Sequence, residues 1–275
     1  AYAASKYINV VPEIEMPGHA LAALASYPEL SFDSTQTYKV SPTWGVFEQV
    51  FCPSETTFKF FEGVMDEVVE LFPSEYIHIG GDECPKTAWK NSAFCQQLIR
   101  QLGLKDDVTP SKVDGVKHSK EDKLQSYFVT RMEKYLNDKG RNIIGWDEIL
   151  EGGLAPNATV MSWRGVEGGL NAAKAGHNAI MTPMPYAYLD FYQEDPAIAP
   201  TTIGGYTTLK KTYSYNPAPD DADELVKKHV IGMQGNIWRE YMKNSDRTDY
   251  QAFPRAMAIA ETGWTLDANI MAGRD

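Results

Sequence analysis

The sequence predicts an α/β fold, a TIM-type (β/α)8 barrel with about six of the eight strands present in this chain. Six short apolar segments alternate mostly with helical segments, which is typical of a parallel sheet. Most of these segments end in carboxylates or tryptophans, and barrel proteins place functional groups at strand ends. A length of 275 residues with 43% hydrophobic content suffices for one large core. We therefore expect one barrel domain over residues 1–275.

The elements follow from apolar periodicity and from the residues that stop it. The predicted strands are residues 7–15, 76–83, 141–148, 159–164, 178–190 and 230–240. Ser54 predicts the start of an amphipathic helix that carries Phe58, Phe61 and Met65 on one face. Further helices are predicted from about residue 20 to 27, over 88–102 and 124–138, just before Gly176, and over 223–229 and 250–262. We expect loops at 28–53 and 191–221 to shape the entrance of a pocket.

Composition limits the partners. The formal net charge of −11 and the absence of a Lys/Arg cluster argue against nucleic acid, whose affinity comes from neutralising phosphates. The three cysteines show no metal-ligand spacing, and no apolar run is long enough for a membrane span. We expect no cofactor and no metal. The chain opens without Met, so we expect a fragment or a processed form.

The chemistry centres on Asp82 and Glu83, which follow the apolar run Tyr-Ile-His-Ile-Gly-Gly. For any single pair of adjacent acids, the alternative to a catalytic role is that both carboxylates are exposed to solvent in a loop. Three tryptophans at other strand ends, Trp146, Trp163 and Trp238, indicate a pocket with apolar walls and polar anchors, although each of them could also be core. Sugars have apolar CH faces and many hydroxyls, so the pattern favours glycoside hydrolysis. Adjacent acids lie too close to flank one scissile bond, so each acid needs a different role.

Six motifs in order carry a family resemblance: PEIEMPGH, HIGGDE, GWDE, SWR, YLD and WRE. Together they resemble the family 20 glycoside hydrolases, the β-N-acetylhexosaminidases, from about Tyr7 to Trp264. The resemblance implies an exo-glycosidase that removes terminal non-reducing N-acetyl-β-D-hexosamine from glycans with retention. It also implies substrate-assisted catalysis, in which the 2-acetamido oxygen is the nucleophile.

The resemblance assigns a role to each matching position. Glu83 is expected to be the acid and then the base, Asp82 to hold the acetamido N–H, and Tyr188 to donate to the acetamido oxygen. The pocket walls and sugar contacts are expected from His19, Trp146, Trp163, Asp190, Trp238 and Glu240. A structural role is about equally expected for His19. His78 and Cys84 are interpreted as packed interior residues.

Two departures from the family pattern matter. Glu15 stands where the family has Asp. The family's first two strands and a sugar-gripping arginine are absent, so we expect an N-terminally incomplete domain completed by a missing segment or by a homo-oligomer. Two alternatives stay open: a non-catalytic sugar-binding remnant, and a metal-dependent barrel hydrolase that uses His19, His78 and the acids. The chain alone does not indicate location, and the resemblance implies the periplasm or the extracellular space.

Overall fold

The computed structural model describes residues 1–219 and 221–265 of the 275-residue chain. It divides into two compact units, Ala1–Val160 and Met161–Asp275. Each unit is described by itself below. The last ten residues of the predicted domain lie outside the described residues, and its extent stays a prediction.

Parallel strand pairs occur in both units. In the first unit, β1 (Tyr76–His78) pairs with β2 (Asn142–Trp146), with Tyr76 opposite Asn142. The strand β3 (Thr159–Ser162) spans the boundary between the units. In the second unit, β4 (Ala179–Met181) pairs with β5 (Val230–Met233) through an irregular register after Ala179. Parallel pairing with intervening helices confirms the α/β class.

The strands are shorter and fewer than predicted, with five among the described residues. Residues 7–15 do not form a strand, and the prediction of a first strand there is wrong. This segment runs beside β1 and makes one isolated parallel bridge, Glu13 opposite His78. Pro12 lacks an N–H group, so the hydrogen-bond ladder is interrupted there. β1 itself ends at His78 because Gly80 and Gly81 take positive φ angles.

Six α-helices lie in the first unit: α1 Tyr2–Ser5, α2 Leu21–Ser26, α3 Glu55–Leu71, α4 Thr87–Asn91, α5 Ala93–Gln101 and α6 Lys120–Asp138. Short 3₁₀ helices cover Pro28–Leu30 and Asp147–Leu150. The predicted cap is confirmed, because the Ser54 side chain accepts from the Thr57 N–H. The single helix predicted over 88–102 is wrong: Ser92 leaves helical geometry and caps α5 by accepting from the Cys95 N–H.

The helices of the described second unit are α7 Glu167–Lys174, α8 Met184–Ala187, α9 Leu209–Tyr213, α10 Glu224–His229, α11 Ser245–Ala252 and α12 Arg255–Trp264. The single closing helix predicted over 250–262 is wrong, since Pro254 cannot continue a helix and separates α11 from α12. The predicted loop over 191–221 contains α9.

Aromatic packing forms much of the core of the first unit. Phe58 of α3 contacts Phe128 of α6, with ring centroids 4.8 Å apart, and Phe61 lies 6.1 Å from the same ring. All three rings are buried. This packing fixes α6, whose Gln125 side chain reaches the loop that follows β1. No helix in the described part of the chain is both long and apolar enough to cross a membrane.

Candidate active site

The loop that follows β1 carries the adjacent acids, and glycine sets its path. Gly80 and Gly81 have φ angles of 69° and 96°, which side-chain-bearing residues rarely adopt. A Cβ atom at Gly80 would lie 2.0 Å from Glu15 Oε1. Only glycine therefore lets the Glu15 carboxyl lie against this backbone. In return, Glu15 Oε1 accepts a 3.0 Å hydrogen bond from the Gly81 N–H.

Side chains from elsewhere in the first unit hold the same loop, which we call the acid loop (residues 80–84). The Gln125 amide donates to the Gly81 carbonyl at 2.6 Å and accepts from Lys86 Nζ at 2.6 Å. Lys86 Nζ also donates to the Cys84 carbonyl at 2.8 Å. Gly18 packs beneath the loop, where a Cβ atom would lie 2.9 Å from the Asp82 carbonyl oxygen. The acids are thus presented by a backbone fixed at both ends.

His19 contacts both acids. Its Nε2 lies 3.3 Å from Asp82 Oδ2 and 3.3 Å from Glu83 Oε2. The hydrogen bond to Asp82 raises the pKa of His19, and partial burial opposes that rise. His19 and Glu83 both have φ angles of 46°, a left-handed backbone that is uncommon for such residues and often marks functional sites.

Glu15 is a half-buried acid that sequence reasoning left without a role. Burial raises its pKa to about 10, and the negative charge of Asp82 adds to the rise. A neutral Glu15 carboxyl keeps a proton that it can donate to the neighbouring Asp82. Among the described residues, Asp82 Oδ1 is buried and receives no other hydrogen bond.

Trp146, at the end of β2, is fixed by an acid that the sequence did not single out. Its indole N–H donates to Glu13 Oε1 at 2.8 Å, and the same oxygen lies 3.2 Å from His78 Nδ1. The His78 and Trp146 ring centroids are 4.8 Å apart. Glu13 lies within the PEIEMPGH motif, but 133 residues separate it from Trp146, so the sequence did not indicate this contact.

The interior assignments of His78 and Cys84 are confirmed. His78 is buried and its Nδ1 accepts from the Gly80 N–H at 3.0 Å, and burial lowers the pKa of His78 to about 3. Burial raises the pKa of the Cys84 thiol to about 12, which is unlike a reactive thiol. The His19, Asp82 and Glu83 ligand atoms lie within 4.8 Å of one another, as a metal-binding trio would. His78 is outside that trio.

In the second unit, two of the predicted site residues, Tyr188 and Trp163, lie next to each other. Their rings stack with centroids 6.2 Å apart and an interplanar angle of 25°. Tyr188 is buried and lies in parallel register with Asn236, whose carbonyl accepts from the Leu189 N–H at 2.7 Å. A short bridge therefore joins the segment after α8 to the segment after β5.

Asp190, Trp238 and Glu240 form the other predicted group of this unit. Asp190 is buried, whereas Trp238 and Glu240 are exposed. Burial raises the pKa of Asp190 to about 7 and the Glu240 carboxylate adds to the rise, while the main-chain N–H groups of Asp190 and Trp238 oppose it. The Glu240 carboxylate is therefore close enough to act on the Asp190 carboxyl.

One buried cation, Arg255 of α12, holds the chain around Asp190. Its guanidinium donates to the carbonyls of Leu189 (2.5 Å), Gln251 (2.7 Å), Thr207 (2.8 Å) and Phe191 (3.2 Å). Burial lowers the pKa of Arg255 to about 10, and the Asp190 charge opposes that effect. Sequence reasoning missed Arg255 because it lies in an ordinary helical pattern far from every motif.

Carboxylates beside histidine and indole rings, placed after parallel strands, are the kind of site that glycoside hydrolases build. The comparison with known families gives the same class. Residues 1–267 match Glycosyl hydrolase family 20, catalytic domain. The chain belongs to this family, and the resemblance predicted from its six motifs is confirmed.

Proteins of similar sequence support the same family assignment. The chain is 50% identical over 266 residues to a beta-hexosaminidase of Porphyromonas gingivalis, covering 96% of this chain and 32% of the relative. It is 35% identical to a beta-hexosaminidase of Vibrio furnissii, covering 99% of this chain and 43% of the relative. This chain therefore spans less than half the length of these two relatives.

Solved structures show the same fold. A Flavobacterium johnsoniae chitobiase aligns with a TM-score of 0.78 at 29% identity, over 99% of this chain and 39% of that one. An exo beta-N-acetylglucosaminidase from Vibrio harveyi, in complex with N-acetylglucosamine, aligns with a TM-score of 0.79 at 31% identity, over 99% of this chain and 42% of that one. The predicted TIM-barrel class is that of the family's catalytic domains, and it is confirmed.

Proposed function

We propose that the protein is an exo-acting β-N-acetylhexosaminidase that releases terminal N-acetylhexosamine from glycans. The observation that carries this proposal is the acid pair of a family 20 domain, Asp82 and Glu83, held on a fixed loop and joined by His19. The hexosaminidase names of its relatives support the substrate class.

The two acids differ in exposure, which supports a division of roles. The Glu83 side chain is 37% exposed and that of Asp82 is 17% exposed. Glu83 protonates the glycosidic oxygen and later activates water, tasks that need access to the leaving group and to solvent. Asp82 binds the acetamido N–H and offsets the positive charge that develops as the acetamido oxygen attacks the anomeric carbon. The reaction then retains the anomeric configuration.

The remaining predicted residues complete this proposal. Tyr188 donates to the acetamido oxygen, while Trp146, Trp163 and Trp238 wall the pocket. Asp190 and Glu240 accept hydrogen bonds from ring hydroxyls. His19 orients the acid pair, consistent with its two 3.3 Å contacts.

The test is hydrolysis of a chromogenic N-acetyl-β-glucosaminide by the full-length protein and by Glu83→Gln. Loss of the acid/base is expected to lower kcat by about 10²–10⁴-fold. The control Glu70→Gln, on an exposed position of α3, should keep the unmodified rate. Equal rates for Glu83→Gln and the unmodified protein would overturn the role of Glu83. Sugar binding without any hydrolysis would favour the binding-only alternative.

A second substrate tests the nucleophile. The corresponding β-glucoside lacks the acetamido group and should be almost inert, because the proposed nucleophile is absent. Equal cleavage of both substrates would exclude the substrate-assisted mechanism. NMR of the first-formed product should show the β-anomer.

A further inference from the structure

We propose that Glu13 is a positioning residue that fixes the Trp146 indole, and that it thereby makes the acyl pocket selective for small N-acyl groups. The inference rests on the proposed function, in which Trp146 walls the acetamido pocket. Glu13 has no role in that proposal.

The first step is the bond itself. The Trp146 indole has one hydrogen-bond donor, and Glu13 Oε1 accepts it at 2.8 Å. The Trp146 main chain is held separately, because its N–H donates to the Gly80 carbonyl at 2.8 Å. Loss of the Glu13 carboxylate should therefore loosen the orientation of the ring, which also packs against His78, and leave β2 in place.

The second step is that Glu13 is itself held firmly. The neighbouring Ile14 N–H donates to the His78 carbonyl at 2.9 Å, and the His78 N–H donates to the Pro12 carbonyl at 2.9 Å. These bonds fix the backbone on both sides of Glu13. The same carboxylate oxygen, Oε1, also lies 3.2 Å from His78 Nδ1. Because the backbone at Glu13 is fixed, its carboxylate accepts the Trp146 indole N–H from a defined direction and so orients the indole plane.

The third step links ring orientation to selectivity. In the proposed mechanism the acyl oxygen must point at the anomeric carbon, so the acyl methyl group is pressed against the pocket wall. A fixed indole excludes a longer acyl chain, whereas a tilting indole admits it and aligns the acetamido group less well. Misalignment of reacting groups lowers the rate even when binding persists.

The experiment compares N-acetyl and N-propionyl chromogenic β-glucosaminides in the full-length protein, Glu13→Ala and Glu13→Gln. For Glu13→Ala we expect kcat/KM on the N-acetyl substrate to fall by about 10–100-fold. The N-propionyl rate should fall less, so that the selectivity ratio shifts by at least about fivefold, the effect of one hydrogen bond. Glu13→Gln keeps an acceptor oxygen and should keep the unmodified ratio.

A spectroscopic readout guards against a variant that folds poorly. In ¹⁵N-indole-labelled protein, the Trp146 N–H signal, assigned with Trp146→Phe, should exchange slowly with solvent in the unmodified protein and in Glu13→Gln. It should exchange faster in Glu13→Ala. Equal losses on both substrates, or an unchanged Trp146 exchange rate in Glu13→Ala, would overturn the inference. A failure of the unmodified protein to cleave either substrate would overturn the proposed function instead, and the exchange rate would still test the Glu13 bond.

Discussion

The acid loop of the first unit and the chain around Asp190 in the second unit both present carboxylates, but they are held in different ways. The acid loop depends on many small contributions: glycine φ angles, one Gln125 bond and the Glu15 carboxyl. The chain around Asp190 depends mainly on one guanidinium that serves four carbonyls, and the Gln251 amide donates to the carbonyls of Asp190 and Phe191. Each single substitution around the acid loop should therefore lower stability by a small amount. One substitution at Arg255 should lower it by a large amount.

The largest effect is expected from Arg255→Met. The substitution removes the guanidinium from the buried carbonyls of Leu189 and Thr207, so the free energy of unfolding should fall by about 3–5 kcal/mol. Chemical denaturation measures the change. Arg247→Met is the matched control, since Arg247 also donates to two carbonyls but near the surface, and it should lose less than about 1 kcal/mol. Similar losses in the two variants would contradict the idea that one residue mainly holds the chain around Asp190.

Gly80→Ala should have the next largest effect. The new methyl group meets the Glu15 carboxyl in a backbone conformation that disfavours Cβ, for a loss of about 2–4 kcal/mol of unfolding free energy. Gly63→Ala is the control, because Gly63 lies within α3 with open space around it. That change should be neutral or stabilise by about 0.5–1 kcal/mol. Thermal unfolding of both variants checks the pair.

Gln125→Leu removes one contributor to the acid loop. It leaves the buried Gly81 carbonyl without this donor, so a loss of about 1–3 kcal/mol is expected. Lys86→Met removes only the flanking Lys86 contacts and should lose less. If Gln125→Leu were as damaging as Arg255→Met, the proposed difference between the two regions would not hold.

The last prediction concerns pH. The folded-state pKa of Glu15 is raised from 4.5 to about 10, so between these values the folded protein keeps a proton that the unfolded chain releases. Stability from this group is complete below pH 4.5 and declines as pH rises toward 10. Glu15→Gln should remove this decline, and Glu15→Asp should keep it. Denaturation at pH 6 and pH 9 measures the difference.

Local patterns predicted the parts of this molecule that depend on neighbours in sequence. The Ser54 cap, the glycine turn before Asp82 and the amphipathic face of α3 all follow from short-range chemistry. The break at Ser92 was missed because its capping bond competes with an otherwise continuous helical pattern. The role of Asp190 within its unit depends on Arg255, and such distant pairs leave no periodic signal.

The sites that were missed share one property. Glu13 reaches Trp146 across 133 positions, and Gln125 reaches Gly81 across 44. Each is an ordinary polar residue in its own segment, and only tertiary packing gives it a partner. The family motifs identified which residues belong to the site. They did not identify the residues that hold them.

The extended segment before His19 has a consequence for how the site assembles. Side chains alternate along such a segment, so Glu13 and Glu15 share one side while Ile14 faces the other. One acid grips the Trp146 indole and the next supports the turn at Gly81. A slip of a single residue would present Ile14 to one of these partners and Pro12 or Met16 to the other. The backbone bonds between this segment and His78 therefore set its register. A one-residue deletion just before Pro12 should displace both the Trp146 indole and the acid loop.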